Sequence, residues 1–153
     1  TFIPDSVRLL YPLNSVHQAE GAHTFFDTRL GVIGANNPAW ANFWAGVRNN
    51  DLGLVSVFYK PVTLSSFGLH YMVEEATGIF PPAVVEIWGG EKEDQLTLLA
   101  TIKPPLPQKG DKLLKTSETT FKPRKISCLK IIAKPQVIKK SKKLLLVDEM
   151  FLN

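Results

Sequence analysis

The residues best placed to do chemistry in this sequence are aromatic and amide side chains on turn-rich segments. Asn36-Asn37-Pro38-Ala39-Trp40-Ala41-Asn42 sets one tryptophan among amides. A flat indole offers area at low entropic cost, so Trp40 can stack on the apolar face of a sugar ring while Asn42 bonds its hydroxyls. Arg48 follows on the same segment as a further hydroxyl-binding candidate. Glu74-Glu75-Ala76-Thr77-Gly78-Ile79-Phe80 carries paired carboxylates and an aromatic. It reads either as a second wall, with Glu75 accepting hydroxyl bonds beside Phe80, or as a solvated turn.

Catalytic patterns are missing by comparison. His17, His23 and His70 lack metal-ligand spacing, and His17 and His23 fit neither a helical nor a strand pair. Adjacent Glu74 and Glu75 on an extended segment would point oppositely, a poor geometry for a glycosidase acid and base. The sequence contains neither a phosphate-binding glycine loop nor a Gly-x-Ser-x-Gly elbow. The expectation is a binding domain and not an enzyme.

The elements that position these residues read as strands. Short apolar runs broken by Pro, Gly and Asn fall at 7–11, 53–59, 62–73, 84–88, 95–102, 125–133 and 144–152. Lys60-Pro61 separates the second from the third, and the apolar spacing slips near Ser66-Phe67, where a bulge fits. No stretch keeps a helical apolar stripe for three turns. Seven or eight strands in 153 residues imply one all-β domain of two packed sheets. Residues 12–51, 103–125 and 135–143 read as irregular. Trp44 and Trp88 are expected in packing roles, and the single cysteine, Cys128, sits in an apolar strand as a buried structural thiol.

Charge is divided unevenly. Residues 1–102 hold five Lys/Arg against ten Asp/Glu, whereas 103–143 hold thirteen against two. A basic stretch of this kind either coats solvated loops or attracts polyanions. Phe121 is the one aromatic within it, so the interleaved stacking of single-strand nucleic-acid binders is missing. No apolar run reaches the length of a spanning helix.

The order of motifs carries a resemblance. Phe25-Phe26-Asp27-Thr28-Arg29-Leu30-Gly31, Asn42-Phe43-Trp44-Ala45-Gly46, Val62-Thr63-Leu64-Ser65-Ser66-Phe67-Gly68-Leu69, Ile79-Phe80-Pro81-Pro82-Ala83-Val84-Val85-Glu86-Ile87-Trp88 and Val147-Asp148-Glu149-Met150-Phe151 succeed one another over nearly the whole chain. Together they resemble the discoidin-like (F5/8 type C, galactose-binding-like) domains, especially the bacterial modules appended to glycoside hydrolases such as β-hexosaminidases. The resemblance implies an eight-stranded jelly-roll β-sandwich with one structural calcium ion and loops at one end that bind sugar. Asp27 matches the family's metal-loop aspartate and Glu149 the closing-strand glutamate that approaches it. Residue by residue, Asp27 could equally cap its loop and Glu149 could be an exposed strand residue. Thr28 stands where the family has glycine, so the turn there must be built differently.

The resulting expectation is one domain, 1–153, excised from a longer secreted multidomain protein and located outside the cytoplasm, in the periplasm or at the cell surface. Its role would be a non-catalytic carbohydrate-binding module that targets a larger bacterial protein to a glycan. The alternative is a structural or interaction domain whose basic 103–143 surface docks a partner domain or an anionic polymer.

Overall fold

The computed structural model describes residues 1–33 and 43–153. The strands among the described residues are, in chain order, β1 (Ser6–Leu9), β2 (Ala45–Val47), β3 (Leu52–Glu74), β4 (Val84–Gly90), β5 (Thr97–Ile102), β6 (Lys112–Lys134), β7 (Val137–Ile138), β8 (Ser141–Lys142) and β9 (Leu145–Leu152). Short 3-10 segments lie at Gly21–Phe26 and Glu75–Thr77.

Two strands of 23 residues organise the rest. At about 3.3 Å per residue, a straight strand of that length would far outrun a domain this small, so both must bend. β3 and β6 pair antiparallel from Leu52↔Ala133 to Glu74↔Lys112, and their register breaks between Val57 and Val62. Tyr59, Lys60 and Pro61 are exposed at that bend, and Pro61 has no N–H to give a ladder. Before the bend, β3 and β6 lie in a sheet ordered β1-β3-β6-β4-β5; beyond it they belong to β2-β9-β3-β6. Folding one half over the other encloses the core, with Phe25, Leu54, Leu69, Ile87, Ile131 and Val147 at 0% exposure.

The sandwich agrees with the sequence, and two expected boundaries are corrected. Lys60-Pro61 is a corner within one strand, because β6 turns the same corner and holds both sides together. Residues 112–125, expected to be irregular, form the first half of β6. That half is a sheet edge paired only with β3, so most of its residues face water and no apolar alternation marks it. Lysines on an exposed edge also discourage pairing with another chain. The slip near Ser66 is real: the register shifts between Leu64 and Ser66, and the amides of Ser65 and Ser66 both donate to the carbonyl of Asn153. Cys128 is 4% exposed, and burial pushes its thiol pKa up. No helix among the described residues is long and apolar enough to cross a membrane.

Candidate functional site

The flank of the sandwich is built on a bulge in β9. His70 pairs with Glu149 and Tyr71 with Val147, which leaves Asp148 as the extra residue. A bulge re-aims side chains, and here it buries two successive carboxylates. Asp148 is fully buried, accepting from the Gly31 amide at 2.5 Å and from His70 Nδ1 at 2.6 Å. The His70 ring stacks on Trp44, with centroids 6.2 Å apart, and Trp44 Nε1 donates to the carbonyl of Val32. Trp44 thus takes the core position expected of it. These bonds fasten residues 31 and 32 to β9. Sequence reasoning passed over Asp148; two successive acids inside an otherwise apolar strand were the available signal.

Glu149 faces the 27–29 turn. Its Oε2 accepts the Thr28 amide at 3.1 Å, while its buried Oε1 has no hydrogen-bond partner. Thr28 adopts φ +62°, the left-handed conformation that ordinarily favours glycine. Its hydroxyl donates to the Asp27 carbonyl, and Asp27 Oδ1 accepts the Arg29 amide at 2.8 Å. Asp27 and Glu149 therefore do meet, although they come from opposite ends of the chain. Burial, and then the Asp27 charge, push the Glu149 carboxyl up to about 8. A cleft of about 290 Å³ opens beside it, lined by Thr1, Thr28, Leu30, Glu149 and Phe151.

One end of the sandwich gathers the loops after β2, after β3 and between β6 and β9. Arg48 is exposed in a cleft of about 130 Å³ that it shares with Asn49, Asn50, Asp51, Pro135, Val137 and Lys142. Phe80 belongs to the same end, its amide bonded to the carbonyl of Leu144 and Lys143 Nζ lying 5.0 Å over its ring. At 8% exposure Phe80 offers little open face. Glu75 is half-buried, and its Oε1 accepts the Gly110 amide at 2.9 Å, pinning the turn before β6. Glu74 is also engaged, by the Thr77 hydroxyl and Lys112. Trp40 and Asn42 lie outside the described residues.

This fold is a β-sandwich of the kind that solved carbohydrate-binding modules have. Solved structures that share it include chitosan-binding module 1 of a chitosanase/glucanase from Paenibacillus sp. IK-5, with TM-score 0.60 and 9% identity over 97% of this chain and 93% of that one. The CBM32 module of AlyQ in complex with 4,5-unsaturated mannuronic acid is similar over 99% and 96%, with TM-score 0.57 and 8% identity. CpGH89CBM32-5 from Clostridium perfringens, in complex with GalNAc-beta-1,3-galactose, gives TM-score 0.59 and 13% identity over 96% and 93%. No family model matches the chain, and no curated protein matches it by sequence.

Proposed function

We propose that this chain is a non-catalytic carbohydrate-binding module that holds a larger secreted bacterial protein against a glycan. The observation that carries this reading is the end-to-end match of its sandwich to modules that bind chitosan or were solved with bound sugars. The binding surface is the loop end that carries Arg48, Glu75 and Phe80. Trp40 supplies the stacking platform and Asn42 an amide for hydroxyls. Phe80 backs this surface beneath Lys143, and Glu75 braces it through Gly110.

Asp27 and Glu149 are the residues that hold one structural calcium ion in this proposal. The chemistry of the pair fits a cation: a buried carboxylate oxygen lacks a partner beside a second carboxyl. Among the described residues no group of three or more His, Cys, Asp or Glu gathers, so the remaining ligands would be carbonyls, which calcium accepts readily. Bound there, the ion would neutralise the pair and fasten the 27–29 turn to β9.

The test is calorimetric titration with neutral and acidic oligosaccharides. A single site of this kind binds in the millimolar range, about −4 kcal/mol. Trp40→Ala should abolish measurable binding while leaving the thermal midpoint in place. Absence of binding to every glycan by the unaltered chain would overturn the reading.

A further inference from the structure

The β7–β8 hairpin closes on two lysines that no fold requirement demands. Val137 pairs with Lys142 and Ile138 with Ser141, leaving Lys139-Lys140 as a two-residue turn. Both have positive φ, 48° and 66°. A turn of this hand is ordinarily built from asparagine and glycine, because other side chains crowd the backbone there. Two like charges are set side by side at the same tip. An unfavourable backbone and an unfavourable charge pair coincide at this exposed tip, a combination more often met at binding sites than in turns that serve folding alone.

The hairpin stands on the proposed binding end. Its base, Val137 and Lys142, lines the cleft that holds Arg48, Asn49 and Asp51. Among the described residues, none of Arg48, Lys139, Lys140, Lys142 and Lys143 makes an ion pair with a carboxylate. Asp51 in the same cleft would repel a bare anion but accepts hydroxyls well. A ligand that gives hydroxyls to Asp51 and a negative group to Arg48 and Lys142 is a sugar acid or an acid ester of a sugar. Lys139 and Lys140 lie two strand residues beyond Lys142, about 7 Å further out. One ring in the cleft does not reach them; a chain does.

We propose that the β7–β8 hairpin and Arg48 form a cationic clamp for an acidic polysaccharide, with the cleft taking one residue and Lys139-Lys140 the anionic group of its neighbour. This rests on the carbohydrate-binding reading and names the ligand class for it.

The test compares binding of the chain to oligouronates, sulfated oligosaccharides, neutral oligosaccharides, duplex DNA and anionic phospholipid vesicles, each at low and high salt. The clamp predicts that oligouronate or sulfated oligosaccharide binds more tightly than neutral sugar, more tightly than its own monosaccharide, and less tightly as salt rises. The double variant Lys139→Asn, Lys140→Gly installs the favoured turn. It should raise the thermal midpoint by a few degrees while weakening acidic-glycan binding about fivefold to tenfold, as two exposed charge contacts warrant. Neutral sugar bound as tightly as acidic sugar would overturn the clamp and leave the module reading intact. Equal binding to DNA or vesicles would overturn it in favour of a general polyanion surface. No glycan binding at all would overturn both. A double variant that loses stability while keeping affinity would assign the lysines to folding and also end the proposal.

Discussion

The backbone amide of Thr28 donates to Glu149 Oε2 at 3.1 Å across 121 positions of sequence, and the other oxygen of that carboxylate is buried with no partner. One hydrogen bond therefore ties a threonine in glycine's conformation to the last strand of the sandwich. It leaves Glu149 half-satisfied beside Asp27.

A pH dependence follows from this arrangement. The Glu149 carboxyl is raised from 4.5 to about 8, chiefly by burial and then by Asp27. Between those values the folded chain holds a proton that the unfolded chain has released, so folding stability falls as pH rises. In calcium-free protein the contribution is fully present below about pH 4.5 and lost through about pH 8. Glu149→Gln, which keeps the shape without the titration, should flatten that part of the profile. Calcium removes the need for the proton, so added calcium should raise the thermal midpoint more at pH 8 than at pH 5. A hundredfold excess over Kd is worth about 2.7 kcal/mol. Thermal unfolding against pH, with and without calcium, measures both effects. Parallel profiles for the two proteins would remove Glu149 from the account.

Trp44 leaves no room beside Gly31. A Cβ built on Gly31 would lie 2.5 Å from Trp44 Cε2. The ring cannot swing away, because it is fully buried, bonded to Val32 and stacked on His70. Gly31→Ala should therefore cost about 2–3 kcal/mol, the range of overpacked cores. Urea unfolding reads this directly, and an unchanged midpoint would show that the indole can move.

Asp148 separates shape from charge in the same network. Asp148→Ala would leave both the Gly31 amide and His70 facing a cavity, and each buried group left unpaired costs about 1–3 kcal/mol. Asp148→Asn keeps a carbonyl oxygen for one of the two donors and should cost less, about 1–3 kcal/mol. Denaturant midpoints of the two variants decide whether the carboxylate or merely its volume fastens residues 31 and 32.

Legibility in the sequence followed burial. β4, β9 and the second half of β6 alternate or run apolar because a core lies against them, and their positions were readable to within a few residues. The first half of β6 was not, since an edge strand whose outer side meets water carries lysine and threonine in place of an apolar rhythm. Pro61 read as a break because proline marks a missing ladder bond, and only the shared bend of β3 and β6 makes it a corner. Asp27 and Glu149 were paired by motif order, and the fold brings them together. Asp148 escaped notice because the two successive acids of β9 mark only an interruption of its apolar run, while the role of the first depends on a one-residue bulge that the sequence does not locate. The Lys139-Lys140 turn was hidden for a related reason: its backbone takes the path that asparagine and glycine would have signalled.

Binding and bracing can be told apart at the loop end. Arg48 is exposed and makes no ion pair among the described residues, so Arg48→Ala should change stability by no more than about 0.5 kcal/mol. If its guanidinium bonds the glycan, affinity should fall about tenfold, as loss of a charge-assisted bond implies. Glu75 behaves differently, because its Oε1 holds the Gly110 amide. Glu75→Ala should cost about 1 kcal/mol of stability and weaken glycan binding only through the loosened turn, whereas Glu75→Gln keeps the acceptor and restores both. Calorimetry on the three variants, paired with their unfolding midpoints, tests the division. A loss of affinity in Glu75→Gln equal to that in Glu75→Ala, at full stability, would move Glu75 from the brace to the sugar.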